Sequence, residues 1–314
     1  MPNFLLYRSM QDSRTPLLAF VTVVTLSVGT SSISCSGTNG SDGTGGNGPS
    51  LGAGGNVGLG SSGTGSTAGA GVAMPSDYTK ATVGGWKVGD PITSDTTTTT
   101  TPDPSGCGAA IISVIRDFKA DGQSFESSNM GDDRGVVETT LGTNRKPVYA
   151  HTGQTSTIAS AASFNQFYRT VTGVNMAYQM YIWFSPFNGT SSFQSTSYFP
   201  LDGMGFGNQG NPHNFHFTTE IHSNFEYKGG EKFTFIGDDD VWVFINNQLA
   251  LDLGGVHSAE TKEIDIDTLG LTVGQVYPFD MFQAERHTVE SNFRADTNLA
   301  FTNCGVIVPD VPLQ

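Results

Sequence analysis

Residues Gly237 to Asp252 read GDDDVWVFINNQLALD, and this stretch limits what the chain can become more than any other. Three adjacent carboxylates open directly into a run too apolar for a surface loop. Phe233, Phe235, Val241, Val243 and Ile245 recur with the period of two that marks a strand. Asn246-Asn247 then supplies a two-residue connection, because Asn accepts the positive φ that a type I′ hairpin turn requires. Asp238, Asp239 and Asp240 therefore stand where a strand enters a tight hairpin. Like charges this close repel unless they are paired, hydrogen-bonded or metal-bound, and Ca²⁺ takes several oxygen ligands from such carboxylates. A solvated acidic turn is the plainer alternative.

Other segments extend the picture. Ile112-Ser113-Val114-Ile115-Arg116-Asp117-Phe118 reads as an opening strand. Phe164 to Arg169, Val174-Asn175-Met176, Phe199 to Gly203 and His213 to Phe217 follow, then Gly237 to Glu260, Leu269 to Gly274, Ala284 to Thr288 and Ser291 to Arg294. Together these segments resemble the fibro-slime domain, a branch of the protective-antigen type (PA fourteen) β-sandwich family of secreted and cell-surface proteins. The resemblance implies an all-β antiparallel sandwich over residues 107–305, between Cys107 and a short tail at 306–314. It also implies a metal site. Lectin-type members hold Ca²⁺ on two consecutive Asp residues joined by a cis peptide, and the ion contacts sugar hydroxyls. That pair falls on Asp238 and Asp239, with Asp240 where many relatives have Gly, so the register is open by one residue. A second ligand loop near the domain end corresponds to Glu285–Asn292, which makes Asn292 the preferred third ligand with Glu290 behind it.

The polar run Glu285-Arg286-His287-Thr288 lies between the apolar stretch Val276 to Phe282 and the alternating stretch Phe293 to Leu299. It therefore reads as a loop at one end of the sheets, where binding residues gather. Trp242, His257, Glu285, Arg286 and His287 are the candidate ligand contacts. Arg286 has two readings: it bonds a ligand's hydroxyls or carboxylates, or it pairs with the Asp cluster.

The N-terminal third differs in kind. Arg8 and Arg14 precede an apolar run from Leu17 to Val28, the length of a signal-peptide core rather than of a membrane span. Ser31, Ser32 and Ser34 lead to Cys35, where a bacterial lipoprotein is cleaved and acylated; ordinary secretory cleavage is the alternative. Residues 36–106 read as a disordered Gly/Ser/Thr-rich tether, although Trp86 with Val88 hints at a short sticky element inside it. The chain has three cysteines. If Cys35 carries lipid, Cys107 and Cys304 remain as a pair, and exported context favours their oxidation. Such a bridge would close a very long loop, for which chain entropy gives about 5 kcal/mol; two separate thiols are the alternative.

A net charge of −14 disfavours a grip on phosphate backbones, so nucleic acid is not an expected partner. Membrane contact is expected only through the lipid. On β-structure, His216, Thr218, Glu220 and His222 share one face, which raises a zinc site against ordinary cross-sheet hydrogen bonding. Glu220, Glu226, Glu231 and Glu285 are acids enough for a glycosidase pair, but their separation decides that chemistry and a sequence does not give it. No nucleophile elbow, phosphate loop or metalloprotease helix occurs. The expectation is a non-enzymatic bacterial surface or secreted binding protein, an adhesin using calcium to recognise carbohydrate or matrix polymer. The alternatives are a matrix protein whose calcium only stabilises the fold, and a non-catalytic accessory module of polysaccharide degradation.

Overall fold

A computed structural model describes residues 85–92, 110–187 and 189–308, all within the unit Gly65–Gln314. The export segment, Cys35, Cys107 and most of the tether lie outside the described residues, so the lipid anchor and the Cys107–Cys304 bridge do too. In chain order the strands are β1 (Trp86–Pro91), β2 (Ala110–Phe118), β3 (Gly131–Asp132), β4 (Asn175–Trp183), β5 (Ser185–Phe187), β6 (Thr190–Ser195), β7 (Phe217–Glu226) and β8 (Lys232–Gly237). They continue as β9 (Asp240–Ile245), β10 (Gln248–Leu253), β11 (Gly255–Val256), β12 (Glu260–Asp265), β13 (Val276–Glu285), β14 (Phe293–Thr297) and β15 (Ala300–Phe301). One sheet runs β1-β4-β2-β7-β13-β9-β10, with β15 added to β7. The other runs β12-β8-β14-β6-β5, and β3 pairs with β11 alone. Every pairing is antiparallel.

Alternation builds the core. Phe233 and Phe235 of β8, Phe293 and Ala295 of β14 and Phe193 of β6 meet Val241, Val243 and Ile245 of β9 and Phe279 and Met281 of β13 in one cluster between the sheets. The hairpin is as the Asn pair requires: Asn246 and Asn247 have φ of 53° and 61°, and Gln248 pairs with Ile245.

β9 itself does not alternate in burial, because all six of its residues are buried. Its second face, Trp242 and Phe244, joins Phe282 and Ala284 of β13 under Phe125, Val136, Phe164, Phe167 and Tyr168 from the segment linking β2 to β4. Trp242 is therefore a core residue and not a ligand contact. Its Nε1 donates to Asp252 Oδ1 at 3.0 Å, and Phe164 meets its ring edge-on.

One further expectation changes. Residues 86–91 are not tether: β1 pairs with β4, with Trp86 opposite Ile182, and the Trp86 ring packs edge-on against Tyr198. The polar face of β7 is taken up by side-chain ion pairs and hydrogen bonds. Glu220 accepts from Arg116 Nη1 at 2.6 Å and from Lys146 Nζ. His222 lies 2.5 Å from both Glu220 and Asp280, and Arg145 reaches Asp280. His216 instead faces Glu126 at 2.9 Å. Buried carboxylates that bind cations and imidazoles so directly form an ion-pair network.

Candidate functional site

Three connections pass between the two sheets side by side. Residues 238–239 join β8 of the second sheet to β9 of the first; residues 286–292 join β13 to β14; residues 254–259 join β10 to β12 through β11. Since β13 pairs with β9, and β14 and β12 both pair with β8, the three corners must meet. Two glycines permit close approaches here, one between two of the corners and one between the third and β3. A Cβ on Gly237 would stand 2.4 Å from the Asn292 carbonyl oxygen. One on Gly255, whose φ is +133°, would stand 2.3 Å from that of Gly131.

The three aspartates divide at this junction. Asp240 turns inward, where its Oδ2 accepts from Arg286 Nε at 2.5 Å and its Oδ1 from the Gly255 amide at 2.7 Å. It is completely buried and spent on these partners, which corrects its assignment as a metal ligand. Asp238 accepts from both the amide and the Nδ2 of Asn292, at 2.6 and 2.7 Å. Asn292 thus holds Asp238 in place rather than standing beside it as an equal ligand. Asp239 adopts a left-handed φ of 52° and accepts from the Arg286 amide at 2.8 Å. All described peptide bonds are trans, so the cis Asp238–Asp239 bond implied by the resemblance is absent.

Arg286 is the hub beneath. Besides Asp240, its guanidinium donates to the carbonyl oxygens of Ser124 and Thr157 and to the Thr157 hydroxyl, at 2.8–3.0 Å. No part of it reaches solvent, so of its two readings the structure takes the internal ion pair.

Asp238 and Asp239 lie on the floor of an open cleft of about 290 Å³, walled by Val256, His257, Ser258 and the run His287 to Glu290, with Met130 on its rim. His257 and His287 line the same cleft as the aspartate pair. Met130 and Val289 are strongly exposed, and Val289 holds a φ of 129° that a β-branched residue rarely adopts. Nothing in the residue pattern singles out Met130, because it arrives from the far segment between β2 and β4.

Glu285 is below the floor, not in the cleft, so it is no direct ligand contact. Only 1 % of it is exposed, and its carboxylate oxygens make no well-formed hydrogen bond, although the Ser291 hydroxyl and the Asp239 carboxylate lie close to it. Burial first, then the charges of Asp239 and Asp238, push its pKa well above the usual carboxylate range. Burial likewise raises Asp239 to about 7, with Arg286 opposing and Asp240 adding to the rise. Burial raises Asp238 as well. A buried carboxyl crowded by two raised carboxylates suits a hard cation, which would relieve all three. Among the described residues, however, no three His, Cys, Asp or Glu side chains already converge on an ion position.

A raised carboxylate stabilises the fold while protonated and loses that contribution as pH climbs through its folded value, here near 7 for Asp239. In chelator the melting temperature should therefore fall between pH 5 and pH 8. Glu285→Gln should flatten that fall and melt about 5 °C higher at pH 8. A Glu285→Gln protein that melts lower than the parent at pH 8 would refute the account.

Residues 173–313 match the family model of the PA14 domain. Protein psiR of Dictyostelium discoideum is 42% identical over 209 residues, 59% of this chain and 21% of psiR. Protein psiQ of the same organism is 42% identical over 198 residues, 56% of this chain and 20% of psiQ. The chain spans about a fifth of the length of these relatives. Among solved structures, a PA14 sugar-binding domain from an RTX adhesin covers 61% of this chain and 93% of its own. Its sequence identity is 10% and its TM-score 0.28, a likeness too slight to argue from. Over residues 173–313, this chain is thus similar to the PA14 domain.

Proposed function

We propose that the chain is an exported, non-catalytic binding module that recognises carbohydrate or a matrix polymer through the Asp238–Asp239 cleft, assisted by calcium. The observation that carries this reading is the pair of low-exposure aspartates lining the cleft, with the buried Glu285 carboxyl beside them. Asp238 and Asp239 would hold the ion, with Glu285 as the buried counter-charge. The ion would supply positive charge that orients ligand hydroxyls. His257, Ser258, His287 and Thr288 line the cleft and offer further hydrogen bonds to those hydroxyls. The PA14 match supports binding over catalysis, and the export segment and Cys35 support display from a surface or release. Many copies on one surface would multiply a weak single contact.

A second reading is a structural matrix protein in which calcium only braces the fold. The burial of Asp238, Asp239 and Glu285 favours it, since an ion among them would be well enclosed. Thermal unfolding with and without chelator, followed by a glycan array, separates the two. Saturating Ca²⁺ at a hundred times its Kd should add about 2.7 kcal/mol of stability to the parent and none to Asp238→Asn/Asp239→Asn. The binding reading further requires a defined set of glycan hits that chelation abolishes. Stabilisation without hits would favour the structural role, and superimposed melting curves would exclude the calcium site.

A further inference from the structure

A second cleft, of about 240 Å³, lies on the other side of Arg286 and has no part in the site above. Its walls come from Gly122, Gln123, residues 127–129 and residues 154–159, and every polar side chain among these is a hydroxyl or a carboxamide. No acidic, basic or imidazole group lines it. In a chain of net charge −14 such a surface is neutral by composition rather than by default.

The wall is built before any ligand arrives. Asp133, behind it, accepts from the Thr155 and Thr157 hydroxyls and from the Thr157 amide, at 2.5–3.0 Å. The Ser127 hydroxyl accepts from the Asn129 amide at 3.1 Å. Gln123, Ser128, Asn129 and Gln154 stay exposed along the edge. The exposed carboxamides of Gln123, Asn129 and Gln154 donate and accept, as sugar hydroxyls do, while the Thr155 and Thr157 hydroxyls, already donating to Asp133, keep lone pairs free to accept.

The two clefts are joined through one residue. The Arg286 amide donates to Asp239 on the floor of the first, while its guanidinium donates to Thr157 in the wall of the second. Asn129 lines one cleft and its neighbour Met130 the other. Each cleft is below the roughly 300 Å³ at which sites for drug-sized ligands begin, so each suits one short unit of a longer molecule.

We infer that the second cleft is a subsite for a neutral, polyhydroxylated polymer, so that the chain binds an internal stretch of glycan across both clefts rather than a single terminal sugar. This rests on the carbohydrate reading above. The test uses the full chain and ladders of one to six units of neutral glucose, mannose, galactose and N-acetylglucosamine oligomers, by calorimetry in Ca²⁺. The best hexamer should bind at least tenfold tighter than its monomer. Asn129→Ala/Gln154→Ala should remove that gain while leaving monomer affinity within twofold. Equal affinity along the ladder, or a gain that survives the double variant, would overturn the subsite and leave the first cleft standing. Hexamer binding lost in the double variant but kept in Asp238→Asn/Asp239→Asn would uphold the subsite and reject the calcium site. No binding by any oligomer would sink both proposals together.

Discussion

Arg286→Met should cost the fold about 3–5 kcal/mol, the usual price of leaving one half of a buried ion pair unmatched, and lower the melting temperature by roughly 10 °C. The expectation follows from where the guanidinium goes. It neutralises the fully buried Asp240 and ties the β13 end to the Ser124 and Thr157 carbonyl oxygens, which belong to the layer covering β9. Removing it strands a carboxylate and three acceptors in a place water does not reach. Arg286→Met/Asp240→Leu should recover part of the loss, since the charge left unmatched is then gone as well. A single variant that melts within 2 °C of the parent would show that Arg286 does not hold the corner.

Glu220→Gln should rival that effect. Its carboxylate lies between Arg116, Lys146 and His222, all nearly inaccessible to solvent, and the neutral amide leaves two buried cations without a counter-charge. Burial alone would raise the Glu220 pKa, but Lys146, Arg116 and His222 outweigh it and hold the group well below the carboxylate range. A depressed carboxylate stabilises the fold above its unfolded pKa, near 4.3, and that stability drains away as pH falls through the folded value. The parent should thus lose stability on acidification below about pH 5, and Glu220→Gln, already weakened at pH 7, should show a shallower acid slope. Chemical denaturation at pH 7 and pH 3 measures both. Identical acid slopes in the two proteins would place the acid-sensitive group elsewhere.

The hairpin and the aspartate pair were legible because their signals are local. Asn246-Asn247 encodes its own turn, and the alternation of β8 and β14 encodes which side faces the core. The separation of Asp240 from Asp238 and Asp239 was not legible, because it depends on Arg286 arriving from a strand 46 residues further on. Trp242 misled for a similar reason. A strand covered on both faces shows no alternation, and what covers this one is the irregular stretch between β2 and β4, which has neither a period of two nor one of 3.6. Its aromatic residues pack as a layer only after the sheet exists to receive them. β1 was hidden by its surroundings, since one six-residue strand in a Gly- and Thr-rich stretch acquires its meaning only beside β4.

The junction of three crossings separates the foundation of the cleft from its outline. Asp238 and Asp239 hang from strand ends fixed by paired neighbours on both sheets, whereas Met130 and Val289 project from connecting loops. Substitution along that outline leaves the underlying strands alone. Selection can therefore retune which molecules such a module accepts, generation by generation, without reopening the question of whether the chain folds.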